Sequence, residues 1–305
     1  MIKSYSLLII ALITNIMVFG QTGQFTDDPY QVSFVTSDLP KFWAAFDSLS
    51  VAERNPFETY IGQGSAGVKG FVPYRIINAD SLRSMVLQRK KDYEAVRGME
   101  EQIKQKVQEI KPYFYGFKYW YPEAIFPPVY FVMGRFNSGG TTSEEGLIIG
   151  VEKLTDLNGL PSLIIHESVH FQQKWPEHET TLLEHAILEG SADFLAELIT
   201  GIKAGGASNE AYAYGEIHKD QLCREFVARM SEPDIKDWLY GTSGKDDRPN
   251  DLGYWMGYNI VQTYFDQVDD KRQAVQHILN LEDFDAFLQE SGFLAIYQET
   301  VIEKP

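Results

Sequence analysis

Bulky apolar residues recur at helical spacing along most of the chain. Over residues 39–49, Phe42, Trp43, Phe46 and Leu49 fall on one side, which predicts a helix. The longest such region is 79–110, where Leu82, Met85, Val86, Tyr93, Val96, Met99, Ile103, Val107 and Ile110 follow one another at spacings of mostly three and four. Gly98 is expected to interrupt it and Pro112 to end it. Gly62, Gly64, Gly67 and Gly70 read as a turn-rich connector. Then the period changes. Residues 128–133 and 146–151 are short runs rich in β-branched and aromatic side chains, around a polar glycine loop at 137–142. They predict two strands, either a hairpin or neighbours in a small sheet. From Leu160 onward the pattern is helical again, broken at Pro176, Gly205-Gly206, Pro233 and the polar stretch 241–251. Helices, a small sheet and more helices predict a helix-rich α+β protein, with no boundary inside residues 21–305.

The first twenty residues follow a different rule. Lys3 precedes the apolar run Leu7-Leu8-Ile9-Ile10-Ala11-Leu12-Ile13, and Val18-Phe19-Gly20 offers a small-residue exit. This predicts a secretory signal over residues 1–20, leaving 21–305 as a single exported domain, periplasmic or extracellular. The apolar run is at the short end for a bilayer about 30 Å thick, so no lasting membrane insertion is expected once the leader is gone. The 305-residue chain has 44% apolar and 13% aromatic residues, ample for a core. Its formal net charge is −16, and loss of Lys3 with the leader makes it −17. Such a surface repels phosphate backbones, which argues against nucleic acid as a partner. A single cysteine, Cys223, excludes an internal disulfide and a thiol-built metal site.

The chemistry is concentrated at Leu163-Ile164-Ile165-His166-Glu167-Ser168-Val169-His170, an H-E-x-x-H pattern on a helical run. Four residues apart on a helix, His166 and His170 point the same way, so both imidazoles can reach one zinc ion. Glu167 is turned about 100° away. There it can take a proton from an attacking water without binding the ion. Pro161 suits the first turn of this helix. Downstream, Thr181-Leu182-Leu183-Glu184 reads as a capping box opening a second helix. Glu189 and Asp193 share one face of it. Glu189 is the expected third ligand, and Asp193 is placed to orient a ligand histidine. His178, Glu184 and His185 compete for the third place. Gln173 and Pro176 stand where the H-E-x-x-H-x-x-G-x-x-H pattern needs glycine and histidine, which excludes that variant. Gly190, Ser191 and Ala192 are small enough to let the two helices approach closely at the metal.

These residues resemble the gluzincin metallopeptidases, which hold zinc with two histidines and a glutamate. The spacing from His170 to Glu189 suits that group. Residues 60–67, 134–141 and 253–258 extend the likeness to secreted bacterial proteins described as predicted zinc-dependent proteases, some of them related to gliding-motility lipoproteins. The lipobox cysteine of those lipoproteins is absent here. The resemblance implies a zincin-like fold with a small sheet packed on the H-E-x-x-H helix, one zinc ion per chain, and a peptide or protein substrate. It also implies an edge strand that pairs with the substrate, for which residues 146–151 are the candidate. Tyr254 and Tyr258, four apart on an expected third helix beside Gly253 and Gly257, are candidate oxyanion donors; the alternative is that both are core tyrosines. His218 is a further candidate donor, while Tyr212 and Tyr214 read as packing. The function expected is metal-dependent peptide hydrolysis with Glu167 as the general base. The alternatives are a non-catalytic zinc protein of a cell-surface assembly and a metal-dependent amidase or esterase acting on other substrates.

Overall fold

The computed structural model describes residues 25–154, 156–204, 210–240 and 248–302. The expected leader, the break at Gly205 and Gly206, and residues 241–247 of the polar stretch lie outside them. Among the described residues, strand β1 (Phe34–Val35) follows a short 3-10 turn at Pro29–Gln31 and leads to helices α1 (Asp38–Ser48), α2 (Phe57–Gly62), α3 (Ala66–Phe71), α4 (Ala79–Gln88), α5 (Lys90–Ala95) and α6 (Met99–Trp120). Three strands follow: β2 (Val129–Val132), β3 (Gly140–Ser143) and β4 (Gly146–Gly150). The rest is helical: α7 (Leu160–Gln172), α8 (Leu182–Thr200), α9 (Glu210–Ile217), α10 (Lys219–Arg229), α11 (Leu252–Gln267), α12 (Lys271–Leu279), α13 (Phe284–Ser291) and α14 (Ala295–Ile302). The architecture is helix-rich α+β, as the patterning predicts. Among the described residues no helix is long and apolar enough to cross a membrane.

Two local expectations fail for stated reasons. The glycine-rich connector is mostly helical, holding the end of α2, all of α3 and a π-helical turn at Val72–Ile76. Gly64, Gly67 and Gly70 serve close packing: a Cβ on Gly67 would stand 2.3 Å from the Cβ of Tyr130 in β2. Gly98 does interrupt the long helical region, with φ at 94°. Pro112, however, lies inside α6 and does not end it. A proline there removes one backbone hydrogen bond, at a cost of about 3 kcal/mol. The stripe Ile110, Phe114 and Phe117 is fully buried on both sides of it, and that packing carries the helix through.

The sheet order is β1-β2-β4-β3, with β1, β2 and β4 parallel and β3 antiparallel to β4. The two apolar runs are thus parallel neighbours, Val129 opposite Leu147 and Val132 opposite Gly150, and the hairpin is made by β3 instead. Every residue of β2 and β4 is buried, which is how a central parallel pair covered on both faces reads. Tyr130 and Ile148 lie against the glycines of α3. Their alternates face the other way, the side on which α7 packs on β3 and β4. The chain therefore carries β3 to the free edge of the sheet, next to the helix bearing His166 and His170.

Candidate metal centre

Helix α7 starts with Pro161 in its first turn and stops at Gln173, whose backbone turns extended. Helix α8 opens on the full capping box. The Thr181 N–H donates to Glu184 Oε2 at 2.7 Å, and the Glu184 N–H donates to Thr181 Oγ1 at 3.3 Å. These two helices pack together and bring three donor atoms to one point. The Nε2 atoms of His166 and His170 are 3.0 Å apart, and Glu189 Oε2 lies 3.1 Å from His170 Nε2 and 3.5 Å from His166 Nε2. A tetrahedral zinc ion with bonds of about 2.0–2.1 Å sets its donors roughly 3.3 Å apart. The triangle fits that ion.

Both rings are oriented from behind. His166 Nδ1 donates to Asp193 Oδ1 at 2.8 Å, and His170 Nδ1 donates to Gln173 Oε1 at 2.8 Å. With the outer N–H groups used, each ring turns its Nε2 lone pair toward Glu189. Two lone pairs and a carboxylate facing one another need a cation between them. The titration directions agree. Burial alone would lower His166, but Asp193 and Glu189 hold it well above the usual histidine range. Burial also opposes protonation of His170, and Glu189 outweighs it. Burial would raise Glu189, yet His170 and His166 keep it well below the usual carboxylate range.

The three donors stand in a cleft of about 1190 Å³. Glu167 lines it, is only 6% exposed, and makes no side-chain hydrogen bond among the described residues. Burial raises its carboxyl above the usual range, against the pull of His166 and His170. Glu167 lies so close under β3 that a Cβ on Gly140 would stand 2.3 Å from its Oε1. Of the two candidate phenols on α11, the structure brings Tyr254 to the cleft, stacked on His166 with ring centres 6.2 Å apart. Tyr258 does not reach it. One turn on, it packs against Phe194 and Tyr212. Nor do the rival histidines join the cluster. His178 pairs with Glu184 at 2.9 Å and His185 with Thr180 at 2.5 Å, while the candidate donor His218 packs at a tilt on Tyr214. The candidate substrate strand also changes. β4 is paired on both sides, and the edge lining the cleft is β3, whose short Gly-Thr-Thr-Ser sequence reads as a loop because it lacks apolar alternation. Of the small residues of α8, Gly190 faces α11 rather than α7: a Cβ on it would meet the Gly257 and Tyr258 backbone at 2.1 Å.

Several groups were not visible as site residues. The Tyr240 hydroxyl donates to Glu189 Oε1 at 2.7 Å, and the Tyr212 hydroxyl donates to Asp193 Oδ2 at 2.6 Å. Gln173 Nε2 donates to the Leu188 carbonyl at 2.9 Å, so one side chain ties a ligand ring to the backbone beside Glu189. Gln173 had a signal, three residues past His170 at the helix end. Tyr240 lies 51 residues from Glu189 and had none.

A family model described as Predicted Zn-dependent protease (DUF2268) matches residues 132–284. That span holds every residue lining the cleft except Arg75. No curated protein and no solved structure matches the chain.

Proposed function

Because the chain belongs to the family of predicted zinc-dependent proteases, we propose that it is a gluzincin-type metallopeptidase whose zinc is held by His166, His170 and Glu189. The observation that carries this reading is Glu167. A structural zinc site fills its places with protein and has no use for a buried carboxylate standing free beside it. In this cleft that carboxylate faces the donor triangle, and among the described residues only three metal donors converge.

Zinc bound there would acidify a water molecule and polarise the scissile carbonyl. Glu167 takes the proton of the attacking water and passes it to the leaving amine. Its raised pKa suits a group that must both accept and release a proton. Asp193 and Gln173 hold the ligand rings in one tautomer, and Tyr212 fixes Asp193 in turn. Tyr254 is the oxyanion donor of this scheme. Burial first, and then Glu189, hold its phenol well above the usual range, so it keeps a proton to donate. The substrate adds as a strand along the free edge of β3, where Gly140, Thr141 and Thr142 line the cleft. Gly140 leaves room for the carboxylate beneath. The signal-like pattern over residues 1–20 supports export.

The test is Glu167→Gln in purified, zinc-loaded protein acting on an unstructured protein such as casein. The variant is expected to hold as much zinc as wild type and to lose at least about a hundredfold in turnover. Undiminished cleavage by the variant would overturn the mechanism. Zinc binding with no cleavage by wild type would favour the non-catalytic reading, and hydrolysis confined to non-peptide amides or esters would favour the other.

A further inference from the structure

Among the described residues lining the cleft, Arg75 and Lys153 are the only lysine or arginine side chains, whereas Glu167, Glu189, Asp193, Glu210 and Asp251 are acidic. Lys153 is exposed and belongs to the rim; Arg75 is half-buried. Among the described residues the Arg75 guanidinium makes no hydrogen bond or ion pair. This sets it apart from Arg89, Arg97, Arg229 and Arg248, each of which holds a carboxylate of the protein. The charge of Arg75 is nevertheless felt at Glu167 and at Tyr240 across the cleft.

What fixes Arg75 is its backbone. The Arg75 carbonyl accepts from Arg135 Nε at 2.8 Å and from Asn137 Nδ2 at 3.1 Å. The residue sits in the π-helical turn Val72–Ile76, closed by the Ile77 N–H donating to the Val72 carbonyl at 2.7 Å. Directly after it, Ile77 takes φ 70° and ψ −65°, the centre of a γ-turn closed by the Asn78 N–H on the Ile76 carbonyl at 3.0 Å. A β-branched residue is strained there. The Ile77 side chain is 45% exposed, so its own burial does not explain the strain. The surrounding structure thus holds a strained turn in place, and the turn presents a spare guanidinium to the cleft.

We propose that Arg75 is a specificity-determining residue that takes a carboxylate of the substrate, either an acidic side chain near the scissile bond or the chain-terminal carboxylate. This rests on the peptidase reading. The guanidinium fork matches a carboxylate with two parallel hydrogen bonds, and half-burial protects the pair from screening. In a chain of net charge −16 an acidic substrate is otherwise repelled, so the preference depends on this one group. Arg75 lies outside the span that matches the family, so the match itself does not assign it a role.

The experiment uses zinc-loaded full-length protein and matched quenched-fluorescence peptides sharing one cleavable core. Glu, Gln or Lys is placed in turn at the positions flanking the scissile bond, and each peptide is made as free acid and as amide. Wild type is expected to favour Glu over Gln at one position, or free acid over amide, by about ten- to hundredfold in kcat/KM. Which of the two appears identifies the source of the carboxylate. In Arg75→Gln the ratio falls to near one, mainly through KM; Arg75→Lys keeps part of it; Arg75→Glu favours the Lys peptide. The proposal is overturned by a ratio near one in wild type, or by an equal ratio in wild type and in the folded Arg75→Gln or Arg75→Lys variant. If wild type cleaves none of the peptides, the peptidase reading fails on its own. The same peptide pairs are then titrated calorimetrically into the Glu167→Gln protein with Arg75 intact or changed to Gln. Tighter binding of the acidic member that vanishes with Arg75 supports the carboxylate site, and equal binding refutes it.

Discussion

A methyl group placed on Gly140 would stand 2.3 Å from Glu167 Oε1, closer than folded proteins allow. Either the edge strand or the carboxylate must move. Displacing a reacting group by an ångström costs on the order of a hundredfold in rate. Gly140→Ala is therefore expected to lower kcat by about that factor while zinc content stays at the wild-type level, because Glu167 is outside the donor triangle; an unchanged kcat contradicts the assigned position of the base. A second residue acts on stability rather than chemistry. Glu152 is 3% exposed, accepts the Phe136 N–H at 3.2 Å, and leaves Oε2 buried without a partner among the described residues. Burial pushes its carboxyl up to about 7, against the pull of the backbone donors at Gly134, Glu152 and Phe136. The folded state therefore prefers the protonated acid. Its stability is greatest below the unfolded value of 4.5, falls as pH rises to about 7, and levels off above it. The loss amounts to about 3 kcal/mol. Glu152→Gln is expected to match wild type near pH 5 and to exceed its stability by roughly 2–3 kcal/mol at pH 8 in urea unfolding. A difference independent of pH would show that the carboxyl ionises freely in the fold.

Helices α8 and α11 meet backbone to backbone, and that contact places Glu189, Asp193 and Tyr254 relative to one another. A Cβ on Gly257 would fall 1.6 Å from the Ala186 carbonyl oxygen, a clash no rotamer relieves. Gly257→Ala should destabilise the protein by about 3 kcal/mol and weaken zinc binding with it, because α8 must shift. Gly62, whose added Cβ meets nothing within 4 Å, supplies the control, and Gly62→Ala should leave both properties near wild type. Equal effects of the two substitutions would mean that the contact does not hold the site. One-sided burial made α1 legible from its amphipathic spacing. Helices α7 and α8 are buried on nearly every side, and there the H-E-x-x-H motif, Pro161 and the capping box at Thr181 marked them instead. Legibility failed where tertiary packing overrides local preference. Pro112 is carried through α6 by buried aromatics, and the polar β3 is a strand because β4 pairs with it. The small residues of α8 did signal a close approach, but a single strip of sequence cannot say which helix approaches.

Across the whole molecule the same boundary divides the site. His166, Glu167 and His170 are local to one helix, and Glu189 with Asp193 follow from a single period on the next, so spacing alone suffices to nominate them. Tyr240, Tyr212 and Arg75 reach the cleft from separate segments, and only chain reversal in three dimensions brings them there. The central claim is that α7 and α8 enclose one catalytic zinc ion with a coordination place left for solvent. Anomalous diffraction at the zinc edge, on crystals of the metal-loaded protein, tests it most directly. The predicted result is one peak per chain at about 2.0–2.1 Å from His166 Nε2, His170 Nε2 and a Glu189 oxygen, with water or hydroxide as the remaining donor. A peak away from those three side chains, or a fourth donor supplied by another side chain such as Tyr240, would contradict it.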